Sequence, residues 1–221
     1  MIKLYCCDIS SLSKEQYNKL YSLASKERQQ RAKNYLKYED SVRCLVGEAL
    51  LRYCLREKFG KEVEPRISYN KHQKPYIENM EKFFFNISHS GKWVVFAHNS
   101  KEIGVDIEKI KSKGQIDSFA KRFFTEKERM YIEENPEDKE KCFTEIWTGK
   151  EAYMKYLGTG LSEGLTTFSI DGKTKEVYDK EGKKIKDIQL CSWWIEEEYV
   201  LSACSDKTET RIERVSVEEI L

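Results

Sequence analysis

Two carboxylates one residue apart, Asp106 and Glu108, stand in the run Gly104-Val-Asp-Ile-Glu108. In an extended strand side chains two apart share a face, so both project together while Val105 and Ile107 face the other way. Hard carboxylates side by side repel each other unless a cation sits between them, and an oxygen-only ligand set favours Mg²⁺. The same spacing also describes an ordinary strand with a solvated polar face. A second run, Trp147-Thr-Gly-Lys-Glu-Ala-Tyr-Met-Lys155, puts Glu151 and Lys155 one helical turn apart on one face, with Lys150 rotated away by one step. It reads either as a Glu–Lys pair contributing roughly 0.2–0.5 kcal/mol or as a third metal carboxylate with a cation aimed at phosphate oxygens.

A third run, Phe85-Asn-Ile-Ser-His-Ser-Gly91, leads a strand into a turn whose hydroxyls, imidazole and backbone amides suit a phosphate. A nucleophilic Ser–His dyad is disfavoured there, because adjacent residues rarely face each other and no G-x-S-x-G elbow is present. A fourth feature is basic: Lys26, Arg28, Arg31, Lys33, Lys37 and Arg43, joined later by Lys71 and by Lys74 before Pro75. Such runs are usually solvated helix faces.

The elements that must carry these groups follow from pattern. Ile2–Ile9 reads as an opening strand, and Ser13-Lys-Glu-Gln16 as a capping box that starts a helix running towards Leu36. Asp40 is placed to cap a second helix with Val42, Leu45, Val46, Ala49, Leu50 and Tyr53 at helical spacing and Gly60 near its end. Short strands follow at 66–69, 83–88, 93–98 and 103–110, with Gly91 in a turn. The second half repeats that order. Thr125-Glu-Lys-Glu128 is another capping box, a longer helix spans about 138–157 and ends at Gly158, and strands follow at 166–170, 187–195, 199–204 and 211–217. Each half is a helical unit followed by an antiparallel meander, so the pattern predicts an α+β protein of two related lobes, 1–100 and 101–221, each a small antiparallel sheet packed with a long helix.

The 221 residues carry 39 Lys+Arg and 38 Asp+Glu, a net charge of +1 that excludes a globally basic nucleic-acid binder. That sum hides +7 over residues 1–100 and −6 over 101–221, which suits a polyanion on one side and a metal cation on the other. No apolar run reaches the roughly 20 residues that span a bilayer, and the first 12 residues hold no long apolar stretch of a signal peptide. Seven cysteines without C-x-x-C spacing read as reduced core thiols in a cytoplasmic protein.

In order and spacing, Lys74-Pro75, Phe85-Asn-Ile-Ser-His-Ser90, Gly104-Val-Asp-Ile-Glu108, Arg122-Phe-Phe-Thr125 and Trp147-x-x-Lys-Glu-Ala-x-x-x-Lys155 resemble the surfactin-type (Sfp-type) 4′-phosphopantetheinyl transferases. The length fits the two-lobed members and not the half-sized trimeric holo-acyl-carrier-protein synthases. The resemblance implies a pseudo-twofold monomer with its active site between lobes. It implies transfer of the 4′-phosphopantetheine arm of coenzyme A to a serine of an acyl or peptidyl carrier protein, with Mg²⁺, releasing 3′,5′-ADP. Carried over by position, Asp106, Glu108 and Glu151 are the implied Mg²⁺ ligands. Arg28, Arg31, Arg43, Lys74, Pro75, Ser88, His89, Lys150 and Lys155 are the implied coenzyme A contacts, with Glu151 and Lys155 catalytic. Compared with a family member, Arg28 and Arg31 replace lysines and Cys44 replaces a hydroxyl residue. Phe119-Ala-Lys-Arg-Phe-Phe-Thr125 reads either as a carrier-docking stretch or as a helix burying Phe119 and Phe123. The same carboxylates would also serve a Mg²⁺-dependent phosphohydrolase or nucleotidyl enzyme, and a non-catalytic coenzyme A-binding module is a third class.

Overall fold

The computed structural model describes residues 2–60, 63–110, 116–160, 164–206 and 209–221. The chain runs β1 (Ile2–Asp8), α1 (Lys14–Leu23), α2 (Lys26–Lys33) and the long α3 (Tyr38–Phe59). Then come β2 (Ile67–Tyr69), β3 (Pro75–Ile77), β4 (Phe84–Ser90), β5 (Trp93–Asn99) and β6 (Ile103–Lys109). Helices α4 (Ile116–Phe123), α5 (Glu126–Glu133) and α6 (Lys139–Leu157) precede β7 (Phe168–Ile170), β8 (Val177–Asp179), β9 (Gln189–Ile195), β10 (Tyr199–Ser205), β11 (Thr210–Arg214) and α7 (Val217–Ile220).

The capping boxes at Ser13 and Thr125 form as the sequence predicts, and Gly158 ends α6 at φ 68°. The single helix expected between Ser13 and Leu36 is instead two. Ala24 is extended, and Ser25 caps a new helix by accepting the Arg28 N–H, since a serine that bonds the backbone ahead of it competes with helix continuation. Asp40 lies inside the first turn of α3, where it binds Arg43, and Lys37 holds the cap position.

Alternation along the strands sorts the core into layers. On β1, Tyr5 and Cys7 face α3 with Leu45, Leu50, Phe85, Val94 and Phe96, while Ile2, Leu4 and Cys6 point the other way. There they meet Trp93, Val95 and Ala97 of β5, Ile103, Val105 and Ile107 of β6, and Leu201 and Ala203 of β10. The sheet β11-β1-β5-β4 and the antiparallel sheet β6-β10-β9 thus stack face to face, with α3 covering one and α6 the other. This is the expected α+β arrangement of two similar lobes. The division of the chain at residue 100 is crossed, however. β11 pairs parallel to β1, and Val215, Val217 and Ile220 enter the core beneath α3.

The lobes repeat one device with its charges exchanged. In the first, Glu48 on α3 is 2% exposed and accepts the Ser25 N–H and hydroxyl, both at 2.8 Å, the Arg28 Nε–H at 3.4 Å and the Arg52 Nε–H at 3.1 Å. In the second, the acid sits on the short helix. Glu128 accepts the Thr125 N–H and hydroxyl and pairs at 2.8 Å with Lys150 on α6. Each anchor ties a long helix to the capped start of a short one.

Gly104 shares a strand face with Asp106 and Glu108, and α6 lies directly on it: a methyl group there would collide with the backbone of Ala152 and Tyr156. Gly104→Ala is expected to push α6 outward, to cost roughly 1–3 kcal/mol of stability and to part Lys155 from Asp106. Denaturant unfolding checks the first effect, and a wild-type midpoint would show that the helix has slack.

Candidate active site

The site lies where β6, β4 and α6 converge. β6 presents Asp106, which is 5% exposed, and Glu108 towards α6. Glu151 and Lys155 follow one turn apart on α6. The Lys155 Nζ lies 2.6 Å from Asp106 Oδ1 and donates to Ser88 Oγ at 3.0 Å. Ser88 in turn donates to the same Asp106 oxygen at 2.7 Å, and Ser90 donates to Glu108 Oε2 at 3.0 Å. Asp106 Oδ2 is buried and has no hydrogen-bond partner among the described residues. A buried carboxylate oxygen left without a partner is costly unless a ligand takes it up.

The structure corrects the Ser-His-Ser turn. β4 continues to Ser90, and its backbone pairs with β5 as far as Trp93, so these residues form a strand and not an anion-binding turn. Asn86, Ser88 and Ser90 form a row on one face of β4, where their side-chain oxygens accept the β6 N–H groups of Val105 at 2.9 Å, Ile107 at 3.4 Å and Lys109 at 3.1 Å. His89 points the other way and is exposed. Partial desolvation, then the charges of Arg43 and Lys155, hold its pKa below the ordinary imidazole value.

The basic residues divide into three sets. Arg43 donates to Gly91 O at 2.6 Å and to Asp40 at 2.8 Å, next to His89. Arg28 binds Glu48 and donates to Cys44 Sγ at 3.7 Å, and Arg31 binds Tyr35. Burial works against the Arg28 charge, but Cys44 and Glu48 outweigh it. Because Arg43 and Cys44 are consecutive on α3, the two sets meet at the start of that helix. Lys74 forms a third contact, donating to Glu102 and to Tyr156 O at 3.1 Å, while Asn70 donates to Gly158 O at 3.1 Å. That loop satisfies carbonyls at the C-terminal end of the helix bearing Lys155. Pro75, beside it, lines a cleft of about 320 Å³ with Tyr76 and Phe84.

Lys150 lies elsewhere. It is fully buried on the far side of α6, and all three ammonium protons are used: on Glu128 at 2.8 Å, Leu165 O at 2.7 Å and Phe168 O at 2.8 Å. Burial lowers its pKa, against the pull of Glu128. A coenzyme A contact from this side chain is not compatible with that placement. The expected set Asp106, Glu108 and Glu151 is likewise not gathered into one cluster: among the described residues no three His, Cys, Asp or Glu groups are placed to hold an ion. The donors nonetheless fit a hard divalent cation, since Asp106 supplies an unpartnered oxygen, Glu108 shares its face, and both are oxygen ligands.

Sequence reasoning missed the bonds of Asn86 and Ser90 to β6 and the buried roles of Glu48 and Glu128. The available signal was the matched two-residue period of Asn-x-Ser-x-Ser on β4 and Gly-x-Asp-x-Glu on β6.

Comparison with known proteins gives the same direction. Residues 102–204 match the 4′-phosphopantetheinyl transferase superfamily, and residues 11–101 match the family described as 4′-phosphopantetheinyl transferase, N-terminal. The 4′-phosphopantetheinyl transferase gsp of Aneurinibacillus migulanus is 32% identical over 218 residues, covering 96% of this chain and 90% of that protein. A 4′-phosphopantetheinyl transferase of Bacillus subtilis is 37% identical over 163 residues, 72% of this chain and 71% of its own length. The Sfp protein of Bacillus subtilis (strain 168) is 34% identical over 161 residues, again 72% and 71%. Motif order, a two-lobed fold with Asp106 and Lys155 joined at the seam, and similarity along nearly the whole chain make this protein a member of the Sfp-type 4′-phosphopantetheinyl transferases.

Proposed function

We propose that the chain transfers the 4′-phosphopantetheine arm of coenzyme A to a serine of an acyl or peptidyl carrier protein and releases 3′,5′-ADP. The observation that carries this reading is the seam itself: Asp106, with one oxygen held by Lys155 and Ser88 and the other buried and unpartnered, beside the cations at the start of α3. Asp106 and Glu108 would hold Mg²⁺, which when bound would neutralise diphosphate charge. Arg28, Arg31, Arg43 and His89 bind coenzyme A phosphates, and Pro75 borders the cleft that receives the rest of the nucleotide. Glu151 takes the proton of the carrier serine. The serine oxygen bonds to the β-phosphorus as the bond from that phosphorus to the departing oxygen breaks, and Lys155 stabilises the 3′,5′-ADP that leaves.

No helix among the described residues is long and apolar enough to cross a membrane. All seven cysteines are free, and burial pushes the Cys6, Cys7 and Cys54 thiols up to about 12, which leaves them protonated and inert. The buried, unpaired thiols support a protein working in the reducing cytoplasm.

Incubation with coenzyme A, Mg²⁺ and an apo-carrier, followed by weighing of the carrier, tests the proposal. A gain of one phosphopantetheine is expected. Consumption of coenzyme A with an unchanged carrier would indicate a hydrolase, and binding without consumption a non-catalytic module.

The carrier side is supported by α4. Lys121 and Arg122 are exposed there, while Phe119 and Phe123 pack half-buried against Trp147, with ring centroids 5.5 and 6.0 Å away. Reversing both charges is expected to raise the KM for an acidic carrier about tenfold without altering that for coenzyme A. An unchanged carrier KM would remove α4 as the docking face.

A further inference from the structure

A serine hydroxyl has one proton to give, and an ionised carboxylate has none. Ser90 Oγ already accepts the Lys109 N–H, and it lies 3.0 Å from Glu108 Oε2. Its one proton is therefore committed to Glu108. Ser88 repeats the arrangement two residues earlier: it accepts from Ile107 N and Lys155 Nζ and gives its proton to Asp106. Asn86 completes the row by accepting the Val105 N–H through its side-chain oxygen, a bond to the β6 backbone and not to a carboxylate. The Ser-x-Ser of β4 thus stands against the Asp-x-Glu of β6 in register, and among the described residues β6 has no paired strand on that edge.

We propose that Ser90 is a positioning residue: it fixes Glu108 through Oε2 so that the carboxylate is presented with the free oxygen of Asp106 to one divalent cation. The inference rests on the metal assignment made above. Neither serine performs chemistry in it. The strand is what aims the acids, since a backbone amide and a carboxylate one residue before it are held by the same hydroxyl, and swinging the Glu108 carboxylate away from β4 breaks that bond. Partners of this kind, one step removed from a metal, change affinity by about 10–100-fold when lost.

The test is thermal melting of the whole chain against MgCl₂, with neither coenzyme A nor carrier present, alongside steady-state kinetics. Ser90→Ala is expected to raise the Mg²⁺ concentration at half-maximal stabilisation at least tenfold, and the Mg²⁺ activation constant with it, while KM for coenzyme A at saturating Mg²⁺ stays the same. Ser90→Thr, which keeps the hydroxyl, restores the wild-type midpoint. Asn86→Ala lowers the melting temperature without Mg²⁺ but leaves the Mg²⁺ midpoint unmoved. A wild-type midpoint in Ser90→Ala overturns the proposal, as does an equal shift in Asn86→Ala, which would trace the effect to strand register. A wild-type chain that melts alike with and without Mg²⁺ overturns the metal assignment and this inference together, whether or not the carrier gains mass. Transferase activity is scored separately by that mass.

Discussion

Asp106→Asn is expected to lower carrier modification by about 10²–10³-fold or more, the scale on which a preorganised electrostatic group contributes to a transition state. Asparagine keeps the shape, and its carbonyl oxygen can still accept from Ser88 and Lys155, as Asp106 Oδ1 does. What disappears is the negative charge and the second anionic oxygen, now buried without a partner. Lys155 loses its counter-ion, but its side chain is 28% exposed and can turn to solvent, so the fold should survive. The measurement is kcat and KM for coenzyme A together with the melting temperature. A variant that modifies the carrier at near-normal rate would remove Asp106 from the chemistry, and a variant that fails to fold would assign it to structure.

The second large effect lies outside the site. Lys150→Met is expected to cost about 3–5 kcal/mol of stability, the usual result of removing one partner from a buried ion pair, which at roughly 2–4 °C per kcal/mol for a chain of this size lowers Tm by about 10 °C. Lys150 and Glu128 are both fully shielded from solvent, and losing the ammonium strands a carboxylate and two carbonyl oxygens together. Activity per folded molecule should hold. A lysine that bound coenzyme A would give the opposite split, a raised KM with the unfolding midpoint barely moved. Adding Glu128→Gln to Lys150→Met should recover part of the loss, because the orphaned charge goes, although Thr125 and Ile170 still need an acceptor there.

The site was legible in the sequence where its residues obey a period. Two-residue spacing placed Asp106 and Glu108 on one face, and four-residue spacing placed Glu151 and Lys155 on another; the structure brings the two faces together through Lys155. Spacing also set Lys150 one step around α6 from Glu151, and that step of about 100° carries it to the far side, into the core. Only the motif as a string grouped the two. The turn expected at Ser88–Ser90 was illegible for another reason: hydroxyl residues suit a turn equally well as a strand face, and what decided was the row of β6 amides needing acceptors, which lies 19 residues away. The pairing of β11 with β1 joins residues about 200 apart, and no local signal announces it.

The exchanged polarity of the two buried anchors bears on how an internally repeated chain finds its own partners. α3 and α6 are long helices of similar shape that must each settle on one of two similar sheets and beside one of two similar short helices. If they traded places while the chain was still collapsing, Glu48 would meet Glu128 and Lys150 would meet Arg28, each encounter between like charges out of reach of water. Such juxtapositions cost several kcal/mol apiece. Opposite charge on otherwise equivalent helices therefore acts as an address, and a chain with the polarity of one lobe reversed should fold more slowly and through swapped intermediates even where its final contacts are all intact.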